Sequence, residues 1–309
     1  MTTTTTPTST QIVDRRHDFM LLFDVQDGNP NGDPDAGNMP RFDPETGHGL
    51  VSDVCIKRKV RDVIFTAKGD QPPYRIYVQH QSRGGKALNE LHNEAHEALN
   101  TPSAERRNPG VEVVDRARRW MCEHFYDVRT FGAVMSTGVN CGQARGAVQI
   151  TFGRSIDPIV PTEYSITRVA KTTAERAAEK AGTTEMGRKY AVPYALYRAY
   201  GFVSPSFAEQ TGFTYGDLDL LWDALCKMFW DDHSAARGEM ETRGLFVFRH
   251  SSRLGEAPAH MLFDLIRIER RDPERPPRSF DDYRVTVDRA RLPKGVELLQ
   301  PCGFAAITG

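Results

Sequence analysis

The sequence is poor in cysteine and has no pattern that would bring cysteines together at a site. Its 309 residues include five widely separated cysteines, at Cys55, Cys122, Cys141, Cys226 and Cys302. No two of them have the CxxC spacing of a zinc site, and the odd number does not indicate a disulfide framework. Such usage is typical of a reducing compartment, so we expect a cytoplasmic protein without a structural metal.

Long apolar runs are also absent. No stretch approaches the ~20 consecutive apolar residues that span a membrane, so we expect no membrane partner. The first residues are rich in threonine as far as Thr10 and lack an apolar core, which argues against a secretory signal peptide. Residues 1–17 are therefore predicted to be a disordered tail.

The sequence has no excess of positive charge. The net charge is −1 and the pI about 6.8, whereas a nucleic-acid-binding protein is often basic overall. The cations are nevertheless clustered, at residues 57–61, 116–119 and 188–189. Any polyanion would therefore bind at a local surface and not through the overall charge.

Signatures of cofactor chemistry are missing as well. The chain has no phosphate-binding loop, no Ser/His/Asp order and no dinucleotide fingerprint, so no cofactor is expected. His92 and His96 stand one helical turn apart, but no third ligand accompanies them. We interpret them as solvated or packing histidines.

The sequence does contain a clear succession of strand, loop and helix over residues 18–68. The short apolar run at 19–25 predicts a buried strand, and the Asn-Pro, Asn-Gly and Asp-Pro pairs of residues 27–38 predict a long loop. Ser52 is then a candidate N-cap for a helix that ends before Gly69. Its apolar positions recur at helical spacing, and Lys57 and Arg61 share another side.

That cationic stripe has two interpretations. It is either a solvated surface that keeps the chain soluble, or a rigid row of cations that neutralises successive phosphates.

Helical spacing predicts further helices at 86–100, 111–126 and 217–230. Alternation predicts strands at 74–79, 147–152, 244–248, 260–268 and 283–287. Strands and helices mix without strict alternation, which favours an α+β fold.

Two sequence blocks carry a family resemblance. The first comprises FDV at residues 23–25, NPNGDPDAGNMPR at 29–41 and GLVSDVCIKRK at 49–59; the second comprises DVRTFGAVMS at 127–136 and GQARG at 142–146. Together they resemble the CRISPR-associated Cas seven family, in particular the backbone subunit of the subtype I-C Cascade surveillance complex. The resemblance extends from about Asp18 to the C-terminus.

The resemblance implies a modified RRM-like (ferredoxin-like) palm over residues 18–309, with a helical lobe inserted at about 80–126 and a thumb at about 154–192. It also implies a non-catalytic subunit that polymerises head to tail along a CRISPR RNA. The expected partners are that crRNA, the target DNA strand paired to it, further copies of the chain, and other Cascade subunits at the guide's two ends and along the belly of the complex.

An RNA held for base pairing must be gripped by its backbone, which calls for cations and neutral donors. The resemblance places this role on Asn38, Arg41, Ser52, Lys57, Arg58, Arg61, Ser136, Thr137, Asn140, Arg145 and Arg188. Met186, near the expected tip of the thumb, is a candidate wedge between bases.

Two other functions compete with this one. Asp33 and Asp35 could bind a divalent metal and cut RNA, although aspartates in an Asn/Gly/Pro loop are commonly turn formers and no further carboxylate cluster accompanies them. A solitary RNA-binding protein is the other alternative, and it predicts no oligomer whose size depends on RNA length.

Overall fold

The computed structural model describes residues 8–80, 84–168 and 185–303. The strands are β1 (His17–Gly28), β2 (Gly32–Asp33), β3 (Met39–Pro40), β4 (His48–Val51), β5 (Ala133–Val134), β6 (Gln143–Ala144), β7 (Val148–Ile150), β8 (Gly153–Pro158), β9 (Thr162–Arg168), β10 (Glu185–Val203), β11 (Glu239–His250), β12 (Ile266–Arg270), β13 (Tyr283–Val287) and β14 (Val296–Gly303). The helices are α1 (Asp53–Lys68), α2 (Leu88–Ala98), α3 (Val111–His124), α4 (Tyr126–Phe131), α5 (Pro205–Thr211), α6 (Tyr215–Lys227) and α7 (Ala259–Phe263). Among the described residues, no helix is both long and apolar enough to cross a membrane.

A central antiparallel sheet organises the chain. Its strand order is β14-β11-β1-β10-β8-β4, and β7 and β9 also pair with β10. β1 lies between β10 and β11 along nearly its whole length, from His17 opposite Val203 to Gly28 opposite Val192 on the β10 side. The predicted α+β class is therefore confirmed.

Both faces of this sheet are covered, which explains why β1 reads as one continuous apolar run. Phe19, Leu21 and Phe23 lie on the face that packs against α1 and α6. Met20 and Leu22 lie on the opposite face, beneath α7 and the β12–β13 hairpin. The predicted strand at 19–25 is confirmed, and the loop that follows it starts from a rigid, fully buried element.

Helices α2 and α3 have a small hydrophobic core of their own, which α4 and the β5–β6 pair complete. It includes buried Leu91, Met121 and Cys141, so it extends beyond residue 126, the predicted end of the helical lobe. His92 and His96 are buried in this region: a ring nitrogen of His92 lies 2.8 Å from the Tyr77 hydroxyl, and His96 lies 2.9 Å from the Asn140 carbonyl. Burial lowers the pKa of His92. Both are packing histidines.

The polar segment at 154–192 is divided between the sheet and a hairpin. Residues 153–158 form β8, which pairs with both β10 and β4, so the predicted excursion begins too early. The hairpin consists of β9 and the first part of β10, with Thr162 opposite Ala191 and Arg168 opposite Glu185. Residues 169–184, the middle of the predicted thumb, lie outside the described residues.

The predicted disordered tail is wrong for residues 8–17. The Val13 side chain is buried, and its N–H donates to the Phe213 carbonyl at 3.1 Å. The Tyr215 N–H donates to the Gln11 carbonyl at 2.9 Å, and His17 already belongs to β1. This segment is tied down because backbone groups just before and within α6 supply its hydrogen-bond partners. Residues 1–7 lie outside the described residues.

Two predicted strands are also wrong. Residues 74–79 form no ladder: the backbone N–H groups of Tyr77 and Val78 donate to the buried Asp127 carboxylate, at 2.8 and 3.1 Å, instead of to a neighbouring strand. The predicted strand at 260–268 begins as a helix, α7, and only its last residues enter β12. Short apolar runs fit a helix or a strand equally well, so packing decided both cases.

Two of the five cysteines form a disulfide that the sequence pattern did not predict. Cys226 of α6 and Cys302 of β14 form a disulfide, with their Cα atoms 6.0 Å apart and a sequence separation of 76. Cys55, Cys122 and Cys141 are free thiols. The prediction that the cysteines stay apart is therefore wrong for one pair, because neither residue lies at a spacing that sequence motifs recognise.

Gly146 allows the chain to cross itself closely after α4. A Cβ atom at this position would lie 2.2 Å from the backbone carbon of Phe131, a distance that only a backbone shift could relieve. We expect Gly146→Ala to lower the free energy of unfolding by about 1–3 kcal/mol, as overpacking does. Urea denaturation would measure this, with Gly110→Ala as the control because that site has open space. Equal midpoints for the two variants would contradict the argument.

Candidate nucleic-acid interface

The loop after β1 is held in shape by its own side chains. The Asn31 side-chain carbonyl accepts a hydrogen bond from the Ser52 N–H at 2.8 Å, and its backbone carbonyl accepts one from the Arg41 N–H at 3.1 Å. Asn29 donates to the carbonyl of Asn38 at 2.7 Å. Asn38 adopts the left-handed region, with φ of 66°, which asparagine tolerates well. The loop thus presents an exposed Asn38 from a fixed backbone.

Asp33 acts inside this loop as a structural residue. One carboxylate oxygen accepts from the Asp35 N–H at 3.1 Å and caps the 3-10 turn Pro34–Ala36. The other accepts from the Arg41 guanidinium at 3.1 Å. Across the described part of the chain, no group of three or more His, Cys, Asp or Glu could hold a metal. Asp33 therefore behaves as a turn former, and it also serves as the counterion of Arg41.

Ser52 begins α1 as predicted. Its hydroxyl accepts from the Cys55 N–H at 3.3 Å, and Gly69 terminates the helix by donating to the Phe65 carbonyl. The predicted helix at 52–68 and both of its ends are confirmed. The Ser52 hydroxyl is occupied by capping, so its contribution to an interface would come from its position at the junction of loop and helix.

The predicted cationic stripe of α1 does not face solvent. The Arg61 side chain is 9% exposed, donates to the buried Asp127 carboxylate at 2.7 Å, and lies 5.3 Å from the centre of the Phe131 ring. The Lys57 side chain is 15% exposed, binds Asp53 at 2.8 Å and lies 5.7 Å from the same ring. Arg61 is thus a core ion pair, which corrects its assignment as a phosphate ligand.

Arg58 faces outward more than its neighbours do. Its side chain is 35% exposed and donates to the Val78 carbonyl at 2.8 Å, and Asp62 lies 3.9 Å away. By contrast Lys59, one position further, is buried against Asp232, and burial lowers the pKa of its ammonium group. Among the basic residues 57–61, Arg58 is therefore the cation best placed to meet a polyanion.

The segment between β5 and β6 supplies neutral groups. Ser136 and Thr137 are exposed at its turn. Asn140 is used internally: its side-chain oxygen accepts from the Gly142 N–H at 2.8 Å, and its own N–H donates to the Arg106 carbonyl. The structure therefore separates the three predicted donors into two accessible hydroxyls and one residue that shapes the turn.

Arg145 is the most available of the predicted cations near this turn. Its side chain is exposed, and its guanidinium lies 4.5 Å from the centre of the Phe207 ring. No carboxylate pairs with it within the described residues. A guanidinium stacked on a ring keeps its N–H edges free for a phosphate. The stacking partner comes from α5, about sixty residues away in sequence, so sequence reasoning missed it.

Arg188 lies on the β10 strand of the hairpin, opposite Ser165. Its side chain is 73% exposed, and its Nε lies 3.2 Å from a Glu163 oxygen across the ladder. The backbone of Met186 lies opposite Thr167 in the register. The Met186 side chain lies outside the described part of the structure, so its role as a wedge stays a prediction.

Several of these elements meet in space. Asn31 ties the loop to the start of α1, β3 contacts β10 below the hairpin, and Phe131 connects Lys57 to the residues that lead into β5. Arg154 of β8 holds the pKa of Asp43 at about 2 through a hydrogen bond, so the end of the loop stays charged and paired. The loop after β1 and the start of α1 are therefore joined, whereas Arg145 lies beside α5, at the opposite end of β10 from the hairpin that carries Arg188.

Comparison with known proteins identifies the family of this chain. A family model described as "CRISPR-associated protein Cas7" matches residues 15–288. A curated relative, the CRISPR-associated protein Cas7 of Haloferax volcanii, is 24% identical over 243 residues, which cover 73% of this chain and 67% of the relative. The chain therefore belongs to the CRISPR-associated Cas7 family.

The chain is also similar to solved structures, at low sequence identity. One, titled "CRISPR RNA-guided surveillance complex, pre-nicking", has 14% identity, a TM-score of 0.49, and coverage of 75% of this chain and 78% of that chain. Another, a Type III-B Cmr-beta complex bound to cognate target RNA, has 13% identity, a TM-score of 0.42, and coverage of 75% and 61%.

Proposed function

We propose that this chain is a backbone subunit of a type I-C Cascade complex, one that binds crRNA and presents it for pairing with target DNA in antiviral defence. The observation that carries the proposal is the family match over residues 15–288. The subtype rests on the resemblance of the loop and the start of α1, residues 29–41 and 49–59. The working compartment is the cytoplasm, with no membrane partner.

The palm is RRM-like in this proposal. Following the chain through β1, α1, β8, β10, α6 and β11 gives the sequence βαββαβ. These four strands lie in the order β11-β1-β10-β8, the fourth, first, third and second of the series. The two helices pack on the same face of the sheet. The β9–β10 hairpin belongs to the thumb, and α2 to α4 form the inserted lobe.

The grip on RNA uses the backbone of the guide. Arg58, Arg145 and Arg188 contact phosphates, because each is exposed enough to exchange its present partner for a more strongly charged one. The Ser136 and Thr137 hydroxyls add neutral donors. Phosphate contacts carry no sequence information, so the base edges remain free and the guide alone selects the target DNA strand.

Polymerisation follows from the same proposal. Copies add head to tail along one crRNA, which gives a helical filament instead of a closed ring. Other Cascade subunits occupy the two ends of the guide and the belly of the complex. The thumb of each copy crosses the RNA, with Met186 near its tip as the candidate wedge between bases.

The test is the mass of the protein bound to single-stranded RNAs of increasing length, measured by native mass spectrometry at several salt concentrations. Protomers should add stepwise as the RNA lengthens, and the affinity should fall as salt rises. A fixed one-to-one complex at every length would leave the solitary RNA-binding protein as the better description. No binding at any salt concentration would remove the RNA-binding function itself.

The subunit is non-catalytic in this proposal. Asp33 caps a turn and binds Arg41, and these contacts support a structural role for the loop acids. We expect Asp33→Asn/Asp35→Asn to leave RNA intact, as the unchanged protein does, in the presence of Mg²⁺ or Mn²⁺. Gel analysis of a labelled RNA would measure this. Cleavage by the unchanged protein that disappears in the variant would establish the metal-dependent ribonuclease instead.

A further inference from the structure

A groove lies between α6 and strands β11 and β14, on a part of the surface that the RNA-binding proposal does not use. Its volume is about 540 Å³. One side follows α6 at three- and four-residue intervals, and β11 and β14 supply the other side. Its lining includes the side chains of Asp219, Trp222, Asp223, Lys227, Trp230 and Glu241, and we call it the acidic groove.

This acidic groove already holds one cation. The Lys227 ammonium binds Asp223 and lies 5.7 Å from the centre of the Trp230 ring. Three carboxylates line the groove beside this one ammonium, so its net charge is negative. The Asp219 side chain has no hydrogen bond or ion pair within the described residues, and burial raises the pKa of its carboxyl. A second cation at Asp219 would therefore be stabilised.

Trp230 stands at the rim of the acidic groove with 62% of its surface exposed. Its indole N–H donates to Glu241 at 3.3 Å, which holds the ring in place. A smaller cavity of about 190 Å³ also borders Trp230, and Asp231 is part of its lining. An exposed indole with carboxylates nearby suits a guanidinium, which stacks on rings and pairs with carboxylates. Exposed tryptophans of this kind are enriched at protein interfaces.

A matching cationic surface lies on α3 of the same chain. Arg116 and Arg119 are both exposed and stand one helical turn apart. Neither forms an ion pair with another described residue, whereas their neighbour Arg118 binds Asp115 at 3.3 Å. Helix α3 packs in the separate hydrophobic core of the lobe, and α6 packs on the central sheet. The two surfaces therefore belong to different parts of the molecule.

We propose that the acidic groove of one copy receives Arg116 and Arg119 of α3 from a second copy. The two surfaces are different and complementary, so the contact is heterologous, and a pair of copies keeps one free groove and one free α3. A further copy can therefore add at either end, which gives an open filament when the rotation between copies does not close a ring. The inference rests on the proposed filament and names the surfaces that join its neighbours.

Charge reversal on each side tests this contact. The first variant is Arg116→Glu/Arg119→Glu and the second is Asp219→Lys/Glu241→Lys. Each variant alone places like charges against each other, so we expect the second protomer to bind an RNA of two-protomer length at least tenfold more weakly. Mixed together, the variants should form the heterodimer in at least tenfold excess over either homodimer. Native mass spectrometry separates all three species.

The controls separate this inference from the proposed function. Arg267→Glu/Arg284→Glu introduces the same charge change on the β12–β13 hairpin, over the opposite face of the sheet, and should pair normally. If the two variants mixed in the statistical 1:2:1 ratio, the groove contact would be overturned while stepwise assembly of the unchanged protein stood.

The affinity for a one-protomer RNA gives the remaining readout. Both variants should match the unchanged protein there. A loss confined to the α3 variant would place Arg116 and Arg119 on RNA and overturn the contact. Asp219→Asn/Glu241→Gln, which alters the acidic groove more gently, should weaken addition of the second protomer in the same direction; an unchanged affinity would also count against the contact.

Discussion

Replacing Arg129 with methionine is expected to lower the free energy of unfolding by about 3–5 kcal/mol, because it leaves a buried carboxylate without its counterion. The Arg129 Nε and Nη2 atoms donate to the two oxygens of Asp217 at 3.0 and 2.7 Å, and both side chains are almost fully buried. Another N–H group donates to the Pro73 carbonyl at 2.6 Å. This one guanidinium joins α4, α6 and the segment before residue 74.

Urea denaturation followed by circular dichroism would measure the loss. Arg253→Met is the matched control, because Arg253 pairs with Glu209 on the surface, where an ion pair contributes about 0–1 kcal/mol. The double variant Arg129→Met/Asp217→Asn removes both charges but keeps a side-chain oxygen to accept from Thr214 at the cap of α6, so it should recover much of the stability. If Arg129→Met stayed within about 1 kcal/mol of the unchanged protein, Asp217 would not depend on this partner.

The second large effect concerns affinity for RNA. Replacing Arg58, Arg145 and Arg188 together with alanine should reduce the slope of log affinity against log salt by about 2, because each lost phosphate contact on a single strand removes about 0.7. At 0.1 M salt this corresponds to roughly a hundredfold weaker binding. The structure motivates the choice, since these three cations are more exposed than Lys57 or Arg61.

The measurement is a fluorescence titration with a one-protomer RNA across a range of salt concentrations. Replacing Arg253, Arg267 and Arg284 with alanine changes the net charge equally at positions outside the interface, and should leave the slope nearly unchanged. Parallel slopes for both triple variants would show that overall charge, and not this surface, drives binding. Arg61→Met makes a further contrast, because it should lower stability without a specific change in the slope.

Sequence reasoning was accurate wherever a feature depended on near neighbours in the chain. The strand at 19–25, the Ser52 cap and the end of α1 at Gly69 follow from periodicity and capping, which operate within a few residues. The two blocks at 23–59 and 127–146 were sufficient to indicate the family that the comparison then established.

Tertiary structure decided what those local rules do not encode. Lys57 and Arg61 share a side of α1 as predicted, but α4 brings Asp127 and Phe131 against that side and turns it inward. The same Asp127 accepts the N–H groups that a strand at 74–79 would have used in a ladder. The physical reason is that a buried carboxylate attracts whichever donors the fold places beside it.

Composition and short-range pattern by themselves therefore determined the class of fold and the opening strand and helix, while the family was indicated by the resemblance of two sequence blocks. Which cations face solvent, whether residues 8–16 are ordered and which cysteines pair were decided only when distant segments met. Arg61 lies 66 residues from Asp127, and Cys226 lies 76 residues from Cys302. Periodicity reports which side of an element is apolar, whereas the partner of a charge or a thiol depends on contacts made across the whole chain.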